Sequence, residues 1–247
     1  MRLFKRSCIV FSGLILMWEL LVLALHLPSY ILPSPAQVFF SGSENFSTLA
    51  AHALPTIIET LLGLMLGIVF GCSTAILMAI FRHARFWLLP ILVVSQAIPT
   101  FAIAPLLVIW FGYGIAAKII TTVLMIFYPI TSAFYDGLRQ TDPGWLDLAK
   151  TMQAKQWQIF WHIRIPAALP NLASGIRVAT VIAPIGAVVG EWVGASRGLG
   201  YLMLNANARM QIDLMFAALF VIVIFSLLLY FSVDKSLRYF ITWQTEN

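Results

Sequence analysis

The sequence predicts an all-α membrane protein with about six membrane-spanning helices. Hydrophobic residues occupy 61% of the 247 positions and charged residues only 10%, whereas a soluble domain carries about 25% charged residues. Long apolar runs recur along the chain, and a run of about 18 residues or more can cross the hydrocarbon core of a bilayer as a helix. The runs do not alternate polar and apolar residues, as the strands of a membrane β-barrel would.

Hydropathy places the spans near residues 8–26, 56–80, 87–110, 116–135, 171–193 and 214–233 of a single transmembrane domain, 1–247. The first span follows a basic N-terminus, and no small-x-small cleavage site comes after it, so we expect an uncleaved span rather than a signal peptide. Outside the spans, the LPSPAQVF segment predicts a short interfacial helix. The longest polar connection, 136–170, separates the fourth and fifth spans.

Basic residues sort to one side of this arrangement. Eleven lie at the N-terminus, the 81–86 turn, the 136–170 loop and the C-terminal tail: Arg2, Lys5, Arg6, Arg82, Arg85, Arg139, Lys150, Lys155, Arg164, Lys235 and Arg238. The opposite loops hold Lys118, Arg197 and Arg209, and Arg177 lies at the inner start of the fifth span. The positive-inside rule then predicts cytoplasmic termini and a cytoplasmic 136–170 loop. The same excess of cytoplasmic Lys and Arg accounts for the net charge of +5, so the charge does not require a nucleic-acid partner.

The second span carries glycines at every fourth position, Gly63, Gly67 and Gly71. Small residues at this spacing let two helix backbones approach closely in lipid, where apolar burial does not drive helices together. The ridge therefore predicts a helix-packing surface rather than the wall of a pore.

The third span contains prolines, each of which removes a helical hydrogen bond. Irregular backbone at membrane depth is tolerated where it is buried in protein or lines a cavity, and an acid inside a span indicates a functional site. Candidates for a polar route are Glu59, Gln96, Pro99, Thr100 and Glu191. The alternatives are a kinked packing helix for the third span and acids that reach water or a backbone donor. Glu19 is a weaker member of the same class.

The sequence contains no enzyme motif in the structural context that its chemistry requires. Residues 194–198 read G-x-S-x-G, but they follow a membrane span rather than a strand, and the four histidines are scattered. A phosphate-binding G-x-x-x-x-G-K-[ST] loop is missing from the sequence, so we expect any ATP hydrolysis to occur on another subunit. The two cysteines have no metal-ligand spacing. We expect no catalytic residue, cofactor or metal on this chain.

The polar loop predicts two short helices. Asp142 is a suitable N-cap and Pro143 a suitable first-turn residue, and Leu146, Ala149 and Met152 repeat at helical spacing. A second helix is expected from Gln156 to Arg164, ended by Pro166. Two helices with apolar faces either lie on the membrane surface or dock into a groove of a partner protein.

The loop resembles the cytoplasmic signature of binding-protein-dependent ABC importer permeases, E-A-A, three residues, G, nine residues, I-x-L-P. Here it reads Asp147-Leu148-Ala149, then Gln153, then Ile163-Arg164-Ile165-Pro166, with the spacing kept. The SPAQVF segment, PTFAIAPLLVIWFGYG and EWVGASRGLGYLMLNANARMQIDLMFAAL also resemble the branch that serves nitrate, sulfonate, taurine and thiamine-precursor pyrimidines. The pattern's central glycine is Gln153, and if the turn needs φ > 0 a residue with a Cβ costs about 1–2 kcal/mol there.

The resemblance implies the type I importer permease fold in the bacterial inner membrane, with two permease copies, two ATPase subunits and a periplasmic or lipid-anchored binding protein. In that arrangement the loop is the coupling helix that sits in the ATPase. It implies coupling roles for Asp147, Leu148, Ala149, Met152, Gln153, Ala154, Trp157, Phe160, Ile163 and Pro166. The other class of function considered is a membrane scaffold or intramembrane enzyme without an ATPase partner.

The substrate implied by the resemblance is a hydroxymethylpyrimidine-type thiamine precursor, with sulfonate, taurine or nitrate as the alternative. An anion route should carry fixed positive charge at depth. The predicted spans offer acids and amides rather than Lys or Arg, which favours a neutral or weakly basic heterocycle.

Overall fold

The structure, a computed structural model, describes residues 2–26 and 28–243, with side chains for 13–26 and 28–243. Within these ranges the regular secondary structure is entirely helical, as the sequence predicts. The elements are α1 (Arg2–Ala24), α2 (Pro35–Glu44), α3 (Phe46–Ile80), α4 (Arg82–Ala97), α5 (Thr100–Phe111), α6 (Ile115–Arg139), α7 (Pro143–Thr151), α8 (Gln156–Ile159), a π segment (Phe160–Arg164), α9 (Ile165–Gly194), α10 (Leu199–Ala208) and α11 (Ile212–Phe240).

Among the described residues, four helices are long and apolar enough to cross a membrane: α3, α6, the continuous helix Gln156–Gly194, and α11. They contain the predicted second, fourth, fifth and sixth spans and extend each of them. In α1, the part with described side chains, Gly13–Ala24, is apolar but shorter than a span, and Cys8 lies outside it. The count of six spans therefore stays a prediction.

The predicted third span, 87–110, is not one helix. It consists of α4 and α5, which meet at an angle of 104° around residues 98 and 99. Pro99 has no N–H to continue the ladder, and the residue before a proline disfavours the helical region; Ile98 accordingly has ψ 121°. Pro105, by contrast, lies inside α5. The pair is a broken span or a re-entrant loop.

Helix α6 runs between α3 and α9 and packs along both of them. Thr122 of α6 lies between Gly63 of α3 and Gly186 of α9, and a Cβ on either glycine would come within 2.7 Å of Thr122. One and two turns further along α3, Gly67 and Gly71 face Ile126 and Ile130 of α6. The three backbones therefore approach through positions where only hydrogen fits.

The remaining helices surround this trio. Helix α11 packs against α9, α10 and α2, and the Trp18 ring of α1 stacks on Phe220 of α11 at a centroid distance of 5.8 Å. The short helix predicted after LPSPAQVF is α2. Its N-cap is Ser34, whose Oγ accepts from Gln37 N while Ser34 N donates to Gln37 Oε1, a reciprocal capping box.

The helix after the loop does not end at Pro166, contrary to the sequence prediction. Helix α8 continues through the π segment into α9, so that 156–194 forms one long helix. A proline lacks the N–H for its helical bond and crowds the carbonyl of the residue four positions earlier. The wider π turn, in which Ile165 N bonds to Phe160 O, places the irregular turn immediately before Pro166 and lets the helix continue.

Candidate functional site

The first element of the loop is α7, and it begins as predicted. Asp142 Oδ1 accepts a hydrogen bond from Gly144 N at 2.6 Å, and Pro143 occupies the first turn. An acidic N-cap and a first-turn proline satisfy or remove backbone donors that have no helical partner. This fixes where α7 starts relative to the end of α6.

Gln153 ends α7 in the left-handed region, with φ 56°. Ala154 N donates to Ala149 O at 3.0 Å, and Gln153 N donates to Lys150 O at 2.9 Å. This pair of bonds is the Schellman motif, whose left-handed residue is usually glycine. The turn therefore does need φ > 0, and Gln153 adopts it at a cost of about 1–2 kcal/mol.

The loop carries three large apolar side chains that are exposed. Leu148, Met152 and Trp157 are 62%, 75% and 64% exposed. Asp147 and Gln153 are also exposed, Ala154, Ile163 and Pro166 are half-buried, and Ala149 and Phe160 are buried in the chain itself. Some signature positions are thus exposed and others are buried within the chain. We call the exposed residues Leu148, Met152 and Trp157 the coupling face.

A cavity of about 820 Å³ lies between α7, the end of α6 and the start of α9. Ala149 and Ile163 line it from the two sides of the loop. Helix α7 therefore stands away from the helix bundle over part of its length, and Leu148 and Met152 of the coupling face also line the cavity.

A buried polar network lies at the opposite end of the same helices. Glu191 of α9, 1% exposed, accepts from Thr56 Oγ1 at 2.5 Å and from Gly200 N at 2.6 Å. Thr56 Oγ1 also accepts from Leu199 N at 2.8 Å. One of the two donors to the carboxylate lies on α3 and the other is a backbone N–H of α10. Glu191 therefore links the start of α10 to α3.

The turn before α10 requires glycine at one position. Gly198 has φ 119°, and a Cβ there would overlap the Glu191 carboxylate. Gly198 N also donates to His52 Nδ1 at 3.1 Å. The G-x-S-x-G match at 194–198 is thus a glycine-rich turn, and Ser196 makes no hydrogen bond to a histidine in the described part of the chain.

Glu59 pairs with Lys118 in the same region. Lys118 Nζ donates to Glu59 Oε1 at 2.6 Å, and the two residues are 7% and 2% exposed. Two sequence predictions are wrong here: Lys118 is not an outer-loop residue, and the spans do contain basic residues. Arg177 of α9 likewise pairs with Asp234 of α11 at 2.6 Å. Apolar surroundings require such a charge to have a partner.

The residues predicted to line a polar route fall into two groups. Glu59 and Glu191 belong to the buried network between α3, α6 and α9. Gln96 and Pro99 are exposed and Thr100 is half-buried at the break between α4 and α5. A role in translocation stays a prediction for both groups. Glu19, on α1, is half-buried outside the network.

Sequence reasoning missed several members of the network, namely His52, Thr56, Lys118, Gly198 and Gly200. A signal for part of it was present, because His52, Thr56, Glu59 and Gly63 follow each other at steps of four, three and four residues. Residues at this spacing share one helix face. A polar stripe on an otherwise apolar helix predicts a buried polar contact; its partners on α6 and α10 had no local signal.

Comparison with known proteins identifies the class that this fold and loop define. Residues 63–243 match the family model of the binding-protein-dependent transport system inner membrane component. The chain belongs to that family. A probable ABC transporter permease protein of Haemophilus influenzae is 53% identical over 97% of this chain and 98% of its own length.

Several further relatives carry names that specify a solute, among them aliphatic sulfonates and taurine. The formylaminopyrimidine transport permease protein ThiX of Halalkalibacterium halodurans is 35% identical over 96% of this chain and 95% of its own length. The riboflavin transport system permease protein RibX of Chloroflexus aurantiacus is 33% identical over 94% of this chain and 87% of its own length.

Solved structures agree on the fold. A chain of the MetNI methionine ABC transporter in an inward-facing conformation superposes with a TM-score of 0.66 at 20% identity, covering 79% of this chain and 97% of that one. The type I importer permease fold is therefore confirmed. The chain is a transport subunit rather than an enzyme, and a separate subunit hydrolyses ATP.

The buried pair Glu59–Lys118 yields the first prediction. Glu59→Gln or Lys118→Met leaves the other group buried without its partner, and we expect each to lower the free energy of unfolding by about 3–5 kcal/mol. The double substitution should cost clearly less than the sum of the two. Unfolding in detergent measures this. Lys150→Met, which removes the exposed pair with Asp147, is the control and should cost no more than about 1 kcal/mol; equal effects would contradict the assignment.

The left-handed Gln153 yields the second prediction. Gln153→Gly removes the Cβ strain and should stabilise the end of α7 by about 1 kcal/mol, which slows amide hydrogen exchange across α7 about fivefold. Gln156→Gly, in the helical α8, is the matched control and should not slow exchange, because glycine weakens a helix. Unchanged or faster exchange for Gln153→Gly would show that the turn does not limit local opening.

Proposed function

We propose that this permease works as a homodimer with two ATPase subunits and passes a small solute delivered by a binding protein. The coupling face is the observation that carries the proposal. Three large apolar side chains stay mostly exposed on a polar loop, even though the Trp157 ring contacts that of Trp161 at a centroid distance of 5.2 Å. A protein groove removes such surface from water. Membership of the family supports an ATPase as the owner of that groove.

The mechanism follows from how the loop is attached. Helix α7 follows the end of α6 after the short connection 140–142, and on its other side the turn at Gln153 leads to α8, which continues as one helix into α9. Closure of an ATPase pair would draw two such loops together and rotate the attached helices as a unit, a rigid-body transition between two packed arrangements. This chain binds no cofactor in the scheme; ATP is used by the partner.

Support for a second permease copy comes from α9. Most residues of this helix are buried or half-buried, yet Val178, Val181 and Ile185 lie on one face and are about half exposed. The break between α4 and α5 exposes Gln96 and Pro99. We place the translocation route along such surfaces between two copies, because Glu59 and Glu191 are already bonded within one chain.

The distribution of basic residues supports an orientation in the inner membrane. The polar loop, the 81–86 turn and both termini carry the excess of Lys and Arg, which marks the cytoplasmic side. The buried network and α10 then lie toward the outside, where a binding protein docks.

The proposed solute is a thiamine-precursor pyrimidine. A relative named for formylaminopyrimidine transport is 35% identical, and the one named for riboflavin transport also implies a nitrogen heterocycle. The charges found inside the bundle do not favour an anion, because Lys118 is neutralised by Glu59 and Arg177 by Asp234. Sulfonate, taurine and nitrate form the alternative class.

Docking gives the third prediction. Leu148→Glu and Met152→Glu place a charge in the coupling face, and we expect each to weaken binding of the ATPase subunit about 30-fold or more. Co-purification from membranes measures this. Ala149 is unsuitable for the test, since it is buried within the chain. Tyr113→Glu, also at a highly exposed ring but far from the loop in sequence, is the control; ATPase retained by both loop variants would overturn the docking assignment.

The solute gives the fourth prediction. The binding protein that works with this permease should bind hydroxymethylpyrimidine or its formylamino analogue tightly and bind taurine at least 100-fold more weakly. Calorimetric titration of the purified binding protein measures both. The order of affinities would be reversed for a sulfonate importer, and that result would reject the substrate while leaving the permease assignment intact.

A further inference from the structure

Four arginines line one pocket at the end of the bundle that carries the polar loop. Arg82 and Arg85 come from the first turn of α4, Arg139 from the end of α6 and Arg164 from the π segment. The pocket has a volume of about 440 Å³, and its other lining residues are Met78, Ala79, Ile80, Tyr135 and Leu138. Four positive charges therefore meet in a space that no acidic side chain lines.

The charges are not neutralised elsewhere. Among residues with described side chains, the ion pairs join Glu59, Asp147 and Asp234 to other basic residues, and none includes an arginine of the pocket. Within the same part of the chain, Arg164 Nε is buried and has no hydrogen-bond partner. A buried donor without an acceptor costs free energy, and clustered like charges repel. Both costs fall when an anion binds.

Tyr135 holds two of the guanidinium groups in place. The Arg85 and Arg139 Cζ atoms lie 5.9 and 5.6 Å from the centroid of its buried ring. Contact with an aromatic face restrains an arginine, and a planar guanidinium offers several N–H donors in a fork that suits phosphate oxygens. The pocket is thus arranged for a phosphate before any ligand arrives.

Aromatic residues flank the two α4 arginines along the chain, and we call Phe81, Phe86 and Trp87 the aromatic rim. Phe81, Phe86 and Trp87, on and beside the first two turns of α4, are 55%, 71% and 69% exposed. Large exposed rings next to basic residues at a helix end are typical of the membrane–water interface. A ligand that combines a phosphate with hydrocarbon chains would contact both the arginines and this rim.

We propose that the pocket binds the headgroup of an anionic glycerophospholipid of the cytoplasmic leaflet, with its acyl chains along Phe86 and Trp87. Basic pockets between spanning helices on the cytoplasmic side bind such headgroups. The leaflet rests on the orientation given under the proposed function. A free phosphate shares the headgroup chemistry but leaves the aromatic rim uncovered.

Native mass spectrometry of the purified permease–ATPase complex tests the site, with phosphatidylglycerol and phosphatidylcholine as probes. Wild type should bind phosphatidylglycerol more tightly than phosphatidylcholine. Arg82→Gln/Arg85→Gln should weaken phosphatidylglycerol binding by about 25-fold, or about fivefold for each charge. Lys235→Gln, on the same side but outside the pocket, should change nothing. Inorganic phosphate at equal concentration should not displace the lipid.

Both substituted arginines are exposed, so the fold should tolerate the change, and the thermal unfolding midpoint checks it. Arg82→Lys/Arg85→Lys keeps the charges and should retain most of the binding. The proposal is overturned if the wild type binds the two lipids with equal affinity or if inorganic phosphate displaces the lipid. It is also overturned if the glutamine variant binds phosphatidylglycerol as tightly as wild type does, or if that variant loses the ATPase subunit and keeps the lipid. Lipid binding requires neither ATP nor solute, so failure of the proposed importer function is a separate result.

Discussion

The close approach of α6 to α3 and α9 is the constraint on which the rest of the structure depends. Thr122 lies between Gly63 and Gly186, and neither glycine leaves space for a Cβ. In lipid, the association of helices comes from such packing and from hydrogen bonds rather than from apolar burial. Because the three backbones are held together at several points along their length, the polar groups at one end and the loop at the other have fixed relative positions.

This arrangement connects the two ends of the molecule. At one end, Glu191 bonds α9 to α3 and to the start of α10, while Lys118 bonds α6 to Glu59 of α3. At the other end, α7 joins α6 to the helix that continues as α9. In the proposed mechanism a displacement of α7 would move α6 and α9 as packed bodies, because packed interfaces switch between discrete arrangements rather than deform continuously.

Composition and charge were sufficient to predict the helical membrane class, and the Asp142–Pro143 start of α7 followed from capping chemistry. The need for φ > 0 at Gln153 was predictable once the loop's spacing was recognised. The sequence predicted only irregular backbone at Ile98–Pro99. A proline shows where a helical hydrogen bond is missing, but it does not determine the angle between the two helices. Lys118 was misplaced, since its partner Glu59 lies 59 residues away and long-range pairing leaves no local pattern. Pro166 was misread because the π turn that accommodates it has no sequence signature.

In the proposed function, this chain carries a solute across the membrane when a separate ATPase acts on its loop. Proteoliposomes containing the permease and its ATPase, supplied with the binding protein and a radiolabelled pyrimidine, test it most directly. We expect uptake that requires ATP inside the vesicles, stops with a non-hydrolysable analogue and disappears without the binding protein. Uptake at the same rate without ATP, or ATP hydrolysis by the permease in the absence of the other subunit, would contradict it.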